Sequence, residues 1–403
     1  MFGVLLNRRF AALFASQVSS LVATGLLTVA LALVAVRLDP GAAAGIIGTA
    51  LTIRIAVYVI VSPLASALLA GRSSRAVLVG ADLVRLIVAG ALVFATAPWQ
   101  LYVGIVLLQT ASAVFTPTYQ AVIPRVLPDE RDYTAAQSLS RLAYDLESLL
   151  SPPLAAILVL VLPPQALFGI VALGFLGSGL AVLLARLHDQ VGSTVEPVRR
   201  RLLRGLGVLG RTPGPRFAAV LDAATATIYA TVLVSSVVLL IDGGADAADP
   251  SAALAAVLVA FGLGSIGVAV ALPALLRRLR DTTVMLLGAG LAVLVLAATA
   301  AAALLGDLSV LGIGVLWALL GASSSAISTP SARLIRREVA PDQHAAVFAA
   351  RFSTSHAWYA VTYPVAGLLG TIAPSGVATG ALAALAAAAL IAGLAMVPPR
   401  SPD

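Results

Sequence analysis

Residues 282–305 read TTVMLLGAGLAVLVLAATAAAALL, a run of 24 residues without one charged side chain. A helix of about 20 apolar residues crosses the hydrocarbon core of a bilayer, so this run is long enough to span it. Lipid offers the backbone no hydrogen-bonding partner, which leaves helices and closed barrels as the only spanning structures. Because the run lacks the short alternating pattern of a barrel strand, it predicts a transmembrane helix.

The rest of the chain has the same character. Hydrophobic residues make up 60% of the 403 residues and charged residues only 11%, whereas soluble domains carry roughly 25% charged residues. The sequence therefore predicts an all-α polytopic membrane protein of about twelve transmembrane helices. The predicted spans lie near residues 10–37, 42–70, 76–96, 99–122, 134–162, 165–187, 216–241, 251–276, 282–305, 308–328, 344–370 and 375–397.

Arginines are concentrated in alternate loops, and the sequence contains no lysine. The loops at 97–98, 163–164 and 371–374 carry no charge, and Arg37 is the one arginine on that side. By the positive-inside rule, both termini and the central connection are cytoplasmic, in the inner (plasma) membrane of the cell. Because topology accounts for the net charge of +7, we expect no nucleic-acid partner. The arginines of the other side precede the first span and recur near residues 72–75, 125–131, 199–211, 277–280 and 333–337.

Three short matches indicate an internal repeat at a nearly constant offset. RFAAL at 9–13 resembles RFAAV at 216–220, and VLVGADL at 77–83 resembles MLLGAGL at 285–291. A Thr-Pro pair at 116 recurs at 329. Two halves of the same orientation predict a parallel repeat, with a substrate site between the halves near the bilayer midplane. The predicted domains are two six-helix bundles at 1–188 and 216–398, a cytoplasmic Arg-rich linker at 189–215 and a short cytoplasmic tail at 399–403.

These features resemble the major facilitator superfamily, and within it the twelve-span drug:proton-antiporter-type exporters. Arg9-Phe10 and Ser16-Gln17 match the opening of the first helix in that group. SALLAGRSSR at 66–75 resembles the loop motif G-x-L-A-D-R-x-x-R, with Gly71 in place of its aspartate. ESLLSPPLAA at 147–156 resembles the antiporter motif G-x-x-x-G-P-x-x-G-G, with Glu147 at the first glycine and Ser or Ala at the other three. The resemblance implies transport by alternating access.

Away from the ends of the predicted spans lie eight charged residues, four arginines and four acids, so their signs balance. A charge at membrane depth usually faces a bundle interior or a wet cavity. Structural or gating roles are predicted for six charges: Arg72, Arg75, Asp82, Arg85, Arg141 and Arg351. Candidates for proton coupling are Glu147, Asp145 and Asp222.

Glu147 is the leading candidate for a proton carrier. Arg141 and Asp145 are four residues apart and therefore share a helix face, while Glu147 lies about 200° round from Asp145. If Arg141 neutralises Asp145, Glu147 has the less obvious partner, and removal from water would favour its protonated form. The alternative is that Glu147 pairs with Arg54 or Arg351 and holds helices together.

Polar residues on several spans are the candidates for a substrate cavity. Asp222 could carry a proton or contact a cationic substrate, and Arg54 could hold an anion or pair with Glu147. His356 could sense pH or pack through a hydrogen bond. Small hydroxylated residues also allow close helix packing, so each of the milder polar groups has that second interpretation. The cavity candidates are Arg54, Gln17, Gln109, Ser324, Trp317 and His356.

No catalytic motif is evident in the sequence. There is no cysteine, no P-loop and no spaced set of metal ligands, so we expect neither an enzyme nor a cofactor nor a metal. The predicted function is a secondary transporter that exports small amphipathic or drug-like molecules in exchange for protons, acting as a monomer in the lipid bilayer. The alternatives are an uptake carrier or lipid flippase of the same fold, or a sensor or assembly partner that does not transport.

Overall fold

The structure is a computed structural model that describes residues 2–38, 43–159, 161–187, 198–242, 250–306 and 308–398. These residues form helices and turns, with no strand among them. The α-helices are α1 (Arg8–Leu38), α2 (Ala43–Leu69), α3 (Ser74–Leu92), α4 (Pro98–Val126), α5 (Glu130–Val159), α6 (Ala166–Leu184), α7 (Val198–Arg211), α8 (Pro213–Ala230), α9 (Ser236–Asp242), α10 (Pro250–Leu275), α11 (Asp281–Leu305), α12 (Val310–Glu338), α13 (His344–Ile372) and α14 (Ser375–Ala395).

The helices confirm the predicted fold of about twelve membrane-spanning segments. Nine described segments are long and apolar enough to cross a bilayer, one of which runs from α8 through a π-helical turn at Thr231–Ser235. Three further long helices, α3, α5 and α13, stand where the remaining spans are predicted. Each of the three carries a charge within its predicted span, Asp82, Glu147 and Arg351 being examples. The predicted tail at 399–403 and linker residues 189–197 lie outside the described residues.

Two differences from the sequence prediction have physical causes. The helix α7 lies inside the predicted linker, where leucines alternate with arginines at helical spacing and produce an amphipathic helix. The helix α12 continues through Pro330 to Glu338, ten residues beyond the predicted end. Two ion pairs with the buried carboxylate of Asp281 stabilise its last turns. Arg333 and Arg337 each lie 2.7 Å from an oxygen of this carboxylate.

The chain forms two compact units. Unit 1 comprises residues 1–136, 146–207 and 341–353, and unit 2 comprises 137–145, 208–340 and 354–403. The helices α5 and α13 therefore each contribute a segment to both units. The predicted domain boundaries at residues 188 and 216 follow the sequence repeat and stay a prediction.

Unit 1 is built on close packing of small residues. The helix α1 packs against α6, where Ser19 Oγ donates a hydrogen bond to the Gly174 carbonyl at 2.7 Å. The helices α3 and α4 complete a core that includes Leu26, Leu101 and Phe168. Without a hydrophobic driving force in lipid, such close approach and interhelical hydrogen bonds hold helices together.

Unit 2 uses the same device between α10 and α12. A Cβ atom added to Gly321 would lie 1.9 Å from the carbonyl oxygen of Phe261, and one added to Gly264 would lie 1.8 Å from that of Ala318. The two backbones are therefore in direct contact at these glycines. The helices α8 and α11 pack against α12, α14 packs against α8 and α11, and together they complete the apolar core of this unit.

Candidate functional site

Glu147 lies on the part of α5 that belongs to unit 1, and its side chain is half-buried. Ser151, one turn further along the helix, donates a hydrogen bond from Oγ to Glu147 Oε1 at 3.3 Å. The spacing of four residues produces this contact, since side chains at i and i+4 lie on one face of a helix. A hydroxyl group is thus the immediate polar neighbour of this carboxylate.

The helix α1 approaches the same carboxylate at a glycine. A Cβ atom added to Gly25 would lie 2.2 Å from Glu147 Oε1 and 2.0 Å from Ser151 Oγ. Gly25 is buried, and only a residue without a side chain leaves room for both polar groups there. The pocket that holds the Glu147 carboxylate therefore depends on a glycine of a different helix.

Arg54 and Arg351 are the two arginines that could pair with Glu147. Among the described residues, no ion pair within 4 Å includes Glu147. Arg54 belongs to the same unit, and its guanidinium lies 5.6 Å from the centre of the Tyr58 ring. Arg351 is half-buried in the segment of α13 that belongs to unit 1. The contacts favour an electrostatic influence of Arg54 over direct pairing.

Two of the predicted cavity residues, Gln17 and Gln109, are buried in unit 1 and bonded to tyrosines. Tyr58 donates from its hydroxyl to Gln109 Oε1 at 2.8 Å, and Tyr119 donates to Gln17 Oε1 at 3.1 Å. Tyr58 and Tyr119 were not among the predicted cavity residues. Their signal was a hydroxyl group within an apolar span, which needs a partner when it is buried.

Unit 2 contains a second polar cluster, the Arg141 cluster, defined as Arg141, Asp145, Tyr229, Ser265 and Ser324. The Arg141–Asp145 contact expected from their spacing is present, with Nη2 3.1 Å from Oδ1. Arg141 also donates to Ser265 Oγ at 2.9 Å, to the Tyr229 hydroxyl at 3.2 Å and to Ser324 Oγ at 3.4 Å. The predicted residue Ser324 thus takes part, while Tyr229 and Ser265 were missed.

A row of aromatic rings leads away from the Arg141 cluster. Tyr359 lies 6.0 Å from Tyr229, 5.4 Å from Tyr363 and 5.4 Å from His356 between ring centres. His356 Nδ1 and Ser355 Oγ are 3.4 Å apart. Asp222 is buried on α8 of the same unit. The structure therefore brings the predicted residue His356 to the aromatic row.

Trp317 occupies a different place from the predicted one. Its side chain is completely buried in the core of unit 2, and its indole N–H donates to Ser236 Oγ at 2.9 Å. A ring with all of its surface covered and its polar group satisfied has a packing role. These contacts correct the assignment of Trp317 to a substrate cavity.

The Asp82–Arg85 pair is buried in unit 1 and makes contacts with at least three other side chains. The two side chains form an ion pair, Ser178 donates to Asp82 Oδ2 at 2.8 Å, and Arg85 donates to Ser20 Oγ at 2.9 Å. The guanidinium of Arg85 also lies over the rings of Phe115 and Phe175, 4.2 and 4.6 Å from their centres. These contacts link α3 to α1, α4 and α6, and the structural or gating role of the pair stays a prediction.

Arg72 and Arg75 are exposed at the turn between α2 and α3. Gly71 ends α2 with φ of 84°, in the left-handed region that glycine adopts without strain. The backbone at this turn thus explains a glycine where the resembling loop motif has an aspartate. In the described part of the chain, no three residues of His, Cys, Asp and Glu are grouped so that they could hold a metal ion.

Comparisons with known proteins agree with this architecture. The family model described as Major Facilitator Superfamily matches residues 13–319. Macrolide efflux protein A of Enterococcus faecalis is 27% identical over 169 residues, which cover 39% of this chain and 51% of that protein. Its namesake from Streptococcus pyogenes is 25% identical over 218 residues, which cover 51% of this chain and 52% of that protein. The chain thus spans about half the length of the curated relatives it matches.

Solved structures show the same fold at low sequence identity. The human organic anion transporter MFSD10 (TETRAN) has a TM-score of 0.74 at 14% identity, covering 95% of this chain and 98% of that one. The transporter FucP has a TM-score of 0.69 at 13% identity, with 97% of this chain and 99% of that one covered. At these identities the likeness is one of fold.

Proposed function

Since the chain belongs to the Major Facilitator Superfamily, we propose that it exports small amphipathic or drug-like molecules in exchange for protons. Family membership makes it a multi-pass membrane transporter of a small-molecule substrate. The proposal adds the direction, the substrate class and the coupling ion. It also places the protein in the plasma membrane as a monomer with cytoplasmic termini, as the arginine distribution predicts.

The observation that carries the coupling is the environment of Glu147. Its carboxylate lies mid-helix in a chain whose solvent is lipid, and its hydrogen-bond donor is the hydroxyl of Ser151. A charge at such depth is costly, roughly 2.5–3.5 kcal/mol on insertion scales. Ser151 can donate to the ionised carboxylate and accept a hydrogen bond from the protonated one, so both protonation states of Glu147 have a partner.

Arg54 supplies the opposing influence. Arg54 belongs to the same unit, and no ion pair within 4 Å joins it to Glu147 in the described contacts. A cation in the surroundings of a carboxylate favours the ionised state. A proton carrier needs both states to be accessible, which a tight salt bridge would prevent. A half-buried carboxylate with one hydroxyl neighbour and one more distant arginine meets this requirement.

Asp222 and the aromatic row of unit 2 are proposed as contacts for the cationic part of a substrate. Cations are attracted to the faces of tyrosine rings, and a buried carboxylate adds to this attraction. The relatives named macrolide efflux protein A support export over uptake. Their alignments cover half of each protein, so the substrate itself is a matter for experiment.

The test is proton exchange in everted membrane vesicles. The vesicles are energised with a proton gradient, and a pH-sensitive dye reports proton release while lipophilic cations, neutral drugs and a macrolide are added. Glu147→Gln should abolish substrate-dependent proton release but retain substrate counterflow without a gradient. Glu130→Gln, at an exposed position in the first turn of the same helix, is the matched control and should behave as wild type.

Each result has a defined consequence. Release that persists in Glu147→Gln would remove this residue as the carrier, and Asp222→Asn would then be the variant to compare. Substrate movement by wild type without protons would favour a facilitated carrier or a lipid flippase. Silence of wild type across the panel would remove the main support for export and favour a role as a sensor or assembly partner.

A further inference from the structure

An arginine-lined cavity of about 780 Å³ lies within unit 1, and Glu147 is not among its lining residues. Arg72 after α2, Arg125 near the end of α4 and Arg204 of α7 all line it. Its volume is in the range of small-molecule sites, roughly 300–1,000 Å³. The cavity combines these cations with serine and threonine hydroxyls and with an apolar part that includes Leu69, Val77 and Val114.

The charges of this cavity do not cancel. Among the described residues of its lining, Asp342 is the one acid, and it lies 3.4 Å from Arg204 in an exposed ion pair. Arg125 donates a hydrogen bond to the carbonyl oxygen of Pro341 at 3.5 Å. This acceptor is neutral, so the contact does not balance the charge of Arg125. Three guanidinium groups against one carboxylate leave the cavity positive by two charges.

The linker helix is placed so that it contributes to this cavity. A Cβ atom added to Gly205 would lie 2.4 Å from the carbonyl oxygen of Ala346, so the backbone of α7 touches the first turn of α13. This contact seats α7 and directs Arg204, the residue before Gly205, to the cavity. Gly71 also lines the cavity, and it stands where the resembling loop motif has an aspartate. The position next to Arg72 therefore carries no negative charge.

We propose that this cavity binds a phosphate group, carried by an anionic lipid headgroup or by a soluble phosphate compound. Guanidinium groups bind phosphate through paired charge-assisted hydrogen bonds. A bare phosphate fills a small part of the volume, and the apolar residues of the lining suit the glycerol and acyl carbons of a lipid. The arginine distribution predicts that this side of the protein faces the cytoplasm, where anionic lipids attract basic segments.

The test is direct binding to the purified protein in a neutral detergent, with no transport substrate present. The probes are dioctanoyl phosphatidylglycerol, dioctanoyl phosphatidylcholine and inorganic phosphate, titrated by calorimetry. We expect the anionic lipid to bind more tightly than the zwitterionic one, and Arg72→Gln to weaken it about fivefold, the typical effect of one arginine near an anionic headgroup. Arg125→Gln is a second variant at an exposed position and should act in the same direction.

Arg278→Gln is the matched control, since Arg278 is also exposed but lies in the turn after α10 and outside the cavity. It should leave affinity unchanged. Displacement of the lipid by inorganic phosphate would identify a soluble phosphate compound as the ligand, and its failure to displace would identify the lipid. Absence of binding, or equal affinity in wild type, Arg72→Gln and Arg125→Gln, would overturn the proposal. The measurement is independent of proton exchange, so the two proposals can fail separately.

Discussion

Glu147 Oε1 lies so close to the backbone of Gly25 that a Cβ atom on this glycine would be 2.2 Å from it. The contact joins α1 and α5 at the carboxylate proposed to carry protons. A group that must take up and release a proton needs a fixed position, and a neighbouring backbone provides one without competing for hydrogen bonds.

Gly25→Ala should impair proton-coupled transport by displacing Glu147 and Ser151. An ångström-scale displacement of a functional group can reduce a rate by as much as ~10²-fold, and we expect a loss of about tenfold in substrate-dependent proton release. Everted vesicles with matched amounts of protein provide the measurement. Gly90→Ala is the control, because a Cβ atom there meets nothing within 4 Å. Equal transport by the two variants would show that the Gly25 contact is dispensable.

Arg141→Met should destabilise the protein by about 3–5 kcal/mol, because it leaves the buried Asp145 charge without its arginine. Arg141 and Asp145 are only 12% and 5% exposed. Adding Asp145→Leu to Arg141→Met removes the remaining charge and should restore most of the stability. Thermal unfolding in detergent measures both. A double variant as unstable as the single one would mean that Ser265 and Tyr229, rather than the ion pair, determine the loss.

Asp281→Asn and Asp342→Asn should differ in their effects, although both remove an acid from an ion pair with arginine. Asp281 is 3% exposed and pairs with Arg333 and Arg337, so its loss leaves a buried charge and should cost about 3 kcal/mol. Asp342 is 67% exposed, and an exposed pair contributes about 1 kcal/mol or less. Thermal unfolding of both variants measures the difference. Comparable losses of stability would contradict the conclusion that the Asp281 ion pairs stabilise the last turns of α12.

Gly321→Ala should loosen α10 from α12. The new methyl group would lie 1.9 Å from the Phe261 carbonyl oxygen, and overpacking of this kind costs typically 1–3 kcal/mol. Gly290→Ala on α11 is the control, since its Cβ would meet nothing within 4 Å. Melting temperatures of the two variants in detergent provide the comparison. Equal melting temperatures of Gly321→Ala and Gly290→Ala would show that α10 and α12 can move apart without a loss of stability.

The helices were predictable to within a few residues because their signals are local. Apolar runs and arginine-bearing loops predicted α1, α10 and α11 almost at their observed bounds. The end of α12 was not predictable, because arginines such as Arg333 and Arg337 are typical of a loop in the sequence. Their partner Asp281, 2.7 Å from each, belongs to another helix. The helix α7 was missed because its arginines suggested only topology, although its leucines repeat at helical spacing.

The candidate sites were predictable in part. The Arg141–Asp145 contact follows from a spacing of four residues on one helix, and Glu147 was selected by its charge at membrane depth. The tyrosines were not selected, because Tyr58 and Tyr229 derive their importance from Gln109 and Arg141, which are distant in sequence. Trp317 was assigned to a cavity by its type and position, whereas its burial and its bond to Ser236 place it in the core.

A helical membrane protein of about twelve spans was predictable from local sequence, because the requirement for some 20 apolar residues in lipid is a property of each segment alone. The charges that interrupt these apolar segments were also visible in the sequence. What each charge touches became known from the packing of the helices: Arg85 lies between two phenylalanine rings, Arg141 among hydroxyl groups, and Glu147 against Gly25. Helix periodicity fixes neighbours within a helix, while neighbours on other helices depend on close packing at small residues, which no local pattern specifies.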